Sequence, residues 1–485
     1  MMSRSWSWWV VALSLCLTGC ASLPVNSGRT ASTALPPIDS THLGQMLAGG
    51  IAKHPGESGV CPLASGADAL AARIALADIA ERSLDVQYYI WHGDETGLQL
   101  AQHILAAADR GVRVRVLLDD FGSTAKDESL LALDGHPNVE VRVYNPIALR
   151  GMRVLGSLMD FSRTTRRMHN KSFTADNQAT IVGGRNIGNE YFGADEALDF
   201  ADLDVLAVGP VVREVSTAFD MFWNSSAAYP ITTVNRQVAP PGVLDKLRGH
   251  PSQQEARIAQ RIRDGELAFD WCKAWVVCDS PEKTTKLPAR EQQLVGQLRP
   301  TLTATKKELV IISPYAVPGK KGMEFFRDMR RRGVRVILVT NSLASTDGVP
   351  VHAGYSRYRK ELLRMGVELY ELKPTGNESL HAKSFAFDRQ DLFIGSFNLD
   401  PRSANLNTEM GIVFESPARA GPMVEKLEAK LAEKAWRVEL VPGPDHSSRL
   451  VWVSKDGRQM VEPGASFSRR LTVALIGWLP VEGQL

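Results

Sequence analysis

Two stretches of this chain carry the same reactive side chains at the same spacing. The first reads Met168-His169-Asn170-Lys171-Ser172-Phe173-Thr174-Ala175-Asp176, then Gly183-Gly184-Arg185-Asn186. The second lies 212 residues later (381 minus 169). It reads Leu380-His381-Ala382-Lys383-Ser384-Phe385-Ala386-Phe387-Asp388, then Gly395-Ser396-Phe397-Asn398. Both are His-x-Lys, four residues, Asp, six residues, Gly-Gly/Ser-x-Asn. One His-x-Lys carries no meaning. Two copies matched throughout at identical spacing point to a duplicated unit.

The pattern has a chemical reading. A strand places residues i and i+2 on one face. Each repeat then projects an imidazole and an ammonium together, His169 with Lys171 and His381 with Lys383. Both segments alternate as strands, broken by the turns Asp176-Asn177-Gln178 and Asp388-Arg389-Gln390. The glycine pairs allow close backbone approach to a ligand. Asn186 and Asn398 can donate side-chain amides to an anion. Such a set suits a phosphodiester: one neutral imidazole attacks phosphorus and a protonated one gives its proton to the leaving oxygen. The lysines and asparagines would hold the non-bridging oxygens, whose charge persists through phosphoryl transfer. This chemistry requires no metal or other cofactor, and the sequence holds neither His-Glu-x-x-His nor Cys-x-x-Cys.

Each imidazole needs a carboxylate to orient it. Beyond each motif the repeats align again, Ala201-Asp202-Leu203-Asp204-Val205 with Thr408-Glu409-Met410-Gly411-Ile412. Asp202 and Glu409 are therefore the expected orienting groups. Asp176 and Asp388 complete the catalytic motif, although their place in turns also suits structural anchors.

The flanking sequence has an α/β rhythm. Asp68 to Ala80 has helical spacing, Leu84 to Trp91 reads as a buried strand, Thr96 to Arg110 as a helix closed by Gly111, and Val112 to Leu118 as a strand. The second half repeats this with a strand from Glu308 to Ser313, a helix from Lys321 to Arg332 stopped by Gly333, and a strand from Val334 to Val339. Arg110-Gly111-Val112-Arg113-Val114 and Arg332-Gly333-Val334-Arg335-Val336 are the same five residues, offset by 222 (333 minus 111). This is a second, independent mark of duplication.

At 485 residues and 44% hydrophobic content the chain can build two domains with large cores. A net charge of +2 gives no argument for nucleic acid. A short charged start and the apolar run Trp8 to Leu17 lead to Leu17-Thr18-Gly19-Cys20. This reads as a lipoprotein signal over 1–19 with Cys20 as the lipidated residue. The Pro-, Ser- and Thr-rich stretch over 20–58 reads as a tether. Cys61, Cys272 and Cys278 remain, and a Cys272–Cys278 disulfide or a pair of buried thiols are both open. Residues 226–295, with Pro240-Pro241, read as a connector. Basic clusters precede both motifs: Arg163, Arg166 and Arg167, then Arg357, Arg359, Lys360 and Arg364. The tail over 441–485 ends in Arg469-Arg470 and an apolar run to Pro480, too short to span a bilayer. It suits either an interfacial position or packing on the body.

The duplicated His-x-Lys-x4-Asp resembles the motif of the phospholipase D superfamily. Leu84-Asp85-Val86-Gln87-Tyr88-Tyr89-Ile90-Trp91, His352-Ala353-Gly354-Tyr355 and Asn407-Thr408-Glu409-Met410-Gly411 are similar to its bacterial cardiolipin synthase branch. The resemblance implies two α/β/α halves over 59–225 and 296–440 that share one site at their interface. It implies His169 and His381 as nucleophile and general acid/base, with His169 the nucleophile, and a phosphohistidine intermediate. It also implies a membrane-associated transferase that joins a phosphatidyl group to phosphatidylglycerol, with phosphatidylethanolamine a possible donor. The rivals are hydrolysis of phospholipid or nucleic acid at the same site, and a silent lipid-binding protein. By analogy with lipoprotein sorting, Ala21 after Cys20 favours the outer membrane of a bacterial envelope, facing the periplasm. A transferase must keep out water, so an apolar, membrane-facing mouth is expected, with Arg166, Arg167 and Arg357 at its rim. Gly184 departs from the family's frequent Gly-Ser, and a lost hydroxyl there would weaken a phosphate contact.

Overall fold

Six strands recur in the same order in two large sheets of the computed structural model. It describes residues 23–26, 28–123, 127–195, 198–248, 257–286, 288–443, 447–477 and 483. In the first sheet the six are Asp204–Val208, Ala179–Gly183, Ser172–Ala175, Ser83–Tyr88, Arg113–Asp119 and Val139–Tyr144. In the second they are Met410–Glu415, Asp391–Gly395, Ser384–Phe387, Glu308–Ile312, Arg335–Asn341 and Glu368–Leu372. In both sheets the last three run parallel. The others join them antiparallel.

The parallel strands require helical crossovers. Asp94 caps Glu95–Asp109 by accepting from Gly97 N. Gly111 ends it with φ 96°, and Gly333 ends Gly319–Arg331 with φ 81°. Only glycine enters that left-handed region without strain. These elements start and stop within two or three residues of the positions read from the sequence.

The layering follows from the apolar faces. Helices Gly66–Ile79 and Glu95–Asp109 cover the outer face of the first sheet. Helix Gly319–Arg331 covers the outer face of the second. Between the sheets lies one shared core, where Val182 and Val205 join Ile394, Ile412 and the helices Pro210–Trp223 and Pro417–Lys434. The halves are thus fused along an apolar seam, which fixes the two histidine motifs relative to one another.

Three flanking segments are more integrated than their composition suggests. The stretch read as a tether is fastened to the first half. Arg142 Nη2 donates to Thr30 O, Trp223 Nε1 to Ser32 Oγ, and Ala34 N to Asp220 Oδ2 at 2.8 Å. Helix His42–Lys53 then follows, capped by Thr41. Partners 112 to 191 residues away hold the irregular stretch that precedes this helix. The connector gives an edge strand to each sheet: Asp270–Cys272 pairs with Ser58–Leu63, and Ala274–Cys278 with Met410–Glu415. Cys272 and Cys278 therefore sit in different sheets and are buried free thiols, as Cys61 is a partly buried one. The tail adds the strands Ser448–Ser454 and Gly457–Gln459 beside the strand Ala435–Pro442, and then the helix Phe467–Ile476. Among the described residues no helix is long and apolar enough to cross a membrane. Cys20 and Trp478 to Pro480 lie outside the described residues.

Candidate active site

The strands carrying the motifs begin at Ser172 and Ser384, so both His-x-Lys triplets precede them. The triplets sit between the halves instead, outside any helix or strand. His169 N donates to Thr408 O of the second half, and His381 N to Ala201 O of the first, each at 2.9 Å. Lys171 Nζ still turns back to its own histidine, 2.5 Å from His169 O, and Lys383 Nζ contacts the His381 ring at 2.9 Å.

The strand end beside each triplet holds it in place. Asp119 closes a parallel strand, and its carboxylate accepts from Met168 N and Arg167 Nε, each at 2.9 Å. Asn341 closes the equivalent strand 222 residues on (341 minus 119) and bonds both Leu380 N and Leu380 O. Each anchored residue directly precedes a motif histidine.

The orienting carboxylates come from the opposite half. Glu409 Oε2 lies 2.8 Å from His169 Nδ1, and Asp202 Oδ2 lies 2.5 Å from His381 Nδ1. A carboxylate at Nδ1 leaves Nε2 as the reactive nitrogen. Burial holds the His169 imidazole down at about 4, against the pull of Glu409. Burial and Lys383 lower His381, against the pull of Asp202. Burial alone would raise both carboxylates, but the facing histidines and lysines hold them below the usual range. Neutral imidazoles therefore face ionised carboxylates. Burial also brings Lys171 down to about 7 and Lys383 to about 8. Lys383 acts electrostatically on His169 and on Lys171, so the two motifs share one site.

Aromatic rings wall the site. Tyr89 stands edge-on to His169, ring centroids 5.1 Å apart, and Tyr191 likewise to His381 at 5.3 Å. Phe200 packs against His381 at 4.8 Å. Chain pattern alone gave no signal for these three.

Several expected roles change. Asp176 accepts from Glu81 N, Arg82 N and Ser83 N. Asp388 accepts from Lys306 N, Lys307 N and Glu308 N. Both stand at the far end of the motif hairpin with φ of 52°. They fasten that turn to the start of a central strand, contrary to a catalytic role. Asn186 is also committed to the protein, since its Oδ1 accepts from Ile90 N and its Nδ2 donates to Tyr191 Oη. Asn398 differs: its Oδ1 is buried without a partner among the described residues. Five residues after Asn186 comes Tyr191, which reaches back; five after Asn398 comes Ser403, whose hydroxyl goes to Glu409. A flip of the Asn398 amide would present an N–H there.

Gly183, Gly184 and Gly395 are packed closely against protein atoms. A Cβ on Gly184 would lie 2.2 Å from Asp202 Oδ1. At the equivalent position Ser396 donates its hydroxyl to Glu409. The Gly184 departure thus makes room for Asp202 and does not remove a phosphate contact. The basic rim also dissolves in part. Arg167 is fully buried on Asp119, and Arg359 is buried on Glu371. Arg163 pairs with Asp160, Arg166 donates to Lys283 O, and Arg357 donates to Gly477 O.

The family model described as "Cardiolipin synthase, PLD-like domain" matches residues 74–223 and 298–436. The chain belongs to the phospholipase D-like cardiolipin synthase family. Among this family the chain is 43% identical to cardiolipin synthase C of Escherichia coli over 462 residues, 89% of this chain and 97% of that protein. It is 25% identical to cardiolipin synthase B of Escherichia coli over 83% of this chain and 85% of that one. Its fold is similar to the phosphatidylserine synthase of Haemophilus influenzae, with a TM-score of 0.58 at 16% identity, over 82% of this chain and 92% of that one. The chain is a phosphatidyltransferase-type enzyme of the phospholipase D superfamily.

Proposed function

We propose that the enzyme makes cardiolipin by moving a phosphatidyl group onto phosphatidylglycerol through a phosphohistidine. The crossed pairing of each motif histidine with a carboxylate of the other half carries this reading. It supplies two oriented Nε2 atoms, which a two-step displacement needs. In the first step His169 Nε2 forms a bond to phosphorus as the bond to the leaving alcohol oxygen breaks. His381 Nε2 gives that oxygen its proton. In the second step His381 takes the proton of the phosphatidylglycerol hydroxyl, the hydroxyl oxygen bonds phosphorus, and His169 leaves. A bound phosphodiester favours the protonated form of a nearby imidazole, against the burial that lowers it. Lys171, Lys383 and a flipped Asn398 would hold the non-bridging oxygens.

Transfer and hydrolysis share the intermediate and differ in the acceptor oxygen. Holding the acceptor hydroxyl in place can contribute about 7–11 kcal/mol over free collision. The test supplies labelled phosphatidylglycerol in bilayers, with and without phosphatidylethanolamine. Cardiolipin is expected as the main product, and a requirement for phosphatidylethanolamine would make it the donor. Phosphatidic acid without cardiolipin in every mixture would replace transfer by hydrolysis.

The membrane attachment belongs to the same proposal. Cys20 would carry the lipid, on the periplasmic side of a bacterial envelope, with the outer membrane favoured. Two or more acyl chains anchor stably where one does not. Palmitate labelling is expected on the wild-type chain and absent from Cys20→Ser. An unlabelled wild-type chain would remove the anchor from the proposal.

A further inference from the structure

Seventeen large apolar side chains are exposed among the described residues, and nine of them fall in two patches. Soluble surfaces scatter such residues singly, and a contiguous patch marks a contact. The first patch is the segment after the strand Val139–Tyr144. Here Val154 is 78% exposed, Leu158 66% and Phe161 51%, with Leu155, Met159 and Phe121 beside them in sequence or fold. The second is the tail helix Phe467–Ile476, where Phe467, Leu471 and Leu475 recur every four residues. That spacing puts them along one side of the helix.

Both patches are fastened to the strand ends that position the histidines. Arg150 and Arg153 of the first segment bond Asp120, next to the Asp119 that holds Met168. Phe121 lies against Arg167, 5.5 Å from guanidinium carbon to ring centroid. Arg469 of the tail helix donates to Leu343 O and Ala344 O, just beyond the Asn341 that holds Leu380. One patch thus adjoins each half of the site. The two come from unrelated parts of the chain, so the duplication does not account for their convergence.

We infer that these two patches form a docking surface for a phospholipid bilayer around the mouth of the active site. The inference rests on phospholipids being the substrate. Both apolar helices are short, ten residues or fewer. Such helices lie in the plane of a bilayer and do not cross it. Arg470 sits beside the apolar stripe with no ion pair among the described residues, which suits anionic headgroups. A substrate lipid then needs to rise only part-way from the bilayer to bring its phosphate between the histidines.

Hydrogen exchange on the full chain tests this, with vesicles containing phosphatidylglycerol. Amide exchange in 152–161 and 467–476 is expected to slow when vesicles are added. The paired variants Val154→Glu with Leu158→Glu, and Phe467→Glu with Leu471→Glu, are expected to lose this protection. Each pair should lower turnover on vesicles at least about tenfold, since two apolar side chains that enter the bilayer are replaced by charges. Turnover of short-chain phosphatidylglycerol dispersed as monomers should stay unchanged. Exchange unaffected by vesicles would overturn the inference. So would protection that appears without vesicles and grows with protein concentration, because a second copy would then cover the patches. Exchange reads docking whichever lipid product forms, so a failure of the transferase reading is seen separately.

Discussion

Replacing either His169 or His381 with alanine is expected to lower turnover by at least about a thousandfold, and the double variant is expected to be little worse. The two imidazoles act in one cycle, so losing either stops it. Each ring is buried and braced by a carboxylate of the opposite half. Removing a ring leaves that carboxylate without its partner, so fold and chemistry must be read apart. The conservative variants His169→Gln and His381→Gln keep a polar group in place and should lose as much turnover. Thermal unfolding of all four should show a shared, intact transition. The intermediate separates the two roles. With His169 as nucleophile, wild type denatured at alkaline pH, where the P–N bond survives, carries the phosphatidyl group on His169. A group trapped on His381 would exchange the roles. More than a few per cent of activity in either single variant would overturn the shared cycle.

The catalytic constellation was legible in sequence because a duplication prints it twice. Offsets of 212 and 222 between equivalent residues mark both the motif and its supporting helices. The two orienting carboxylates followed from the same alignment, although the sequence did not show that they cross between halves. Crossing is set by the apolar seam between the sheets, a shared cluster of residues such as Val205 and Ile412 that lie far apart in the chain. Symmetry also misled. It made Asn186 and Asn398 equivalent, but Tyr191 and Ser403 send their hydroxyls to different partners. Composition misled where partners are distant. Residues 20–58 read as a tether because they are rich in Pro, Ser and Thr, yet Arg142, Trp223 and Asp220 hold Thr30, Ser32 and Ala34. Arg167 read as a surface charge because its partner, Asp119, lies 48 residues away.

Glu409→Gln and Asp202→Asn should each lower kcat by about 10²–10⁴ while both histidines remain. These are positioning residues and act through the rings they hold. An amide at Nδ1 can donate where the carboxylate accepted, which places the ring proton on Nε2. For His169 that blocks the nitrogen meant to attack phosphorus. For His381 the loss is different, because a neutral amide no longer stabilises the imidazolium that protonates the leaving oxygen. Both variants should therefore suppress formation of the phosphohistidine, Glu409→Gln through the attacking nitrogen and Asp202→Asn through the proton given to the leaving oxygen. The pH profile gives a readout that simple misfolding would not move. Burial lowers Lys171 to about 7, and Glu409 opposes that shift. Burial lowers Lys383 to about 8, and Asp202 opposes it. Taking away the anion lowers each lysine further. A lysine holds phosphate only while protonated, so phosphate binding is present below its pKa and lost as pH rises through it. The alkaline limb of kcat/KM should then move to lower pH in both variants. The wild-type limb of kcat/KM, which reports the free enzyme, should fall between about pH 7 and 8. Unchanged kcat with an unmoved alkaline limb would show that the crossed carboxylates hold the fold alone and do not set the chemistry of the histidines.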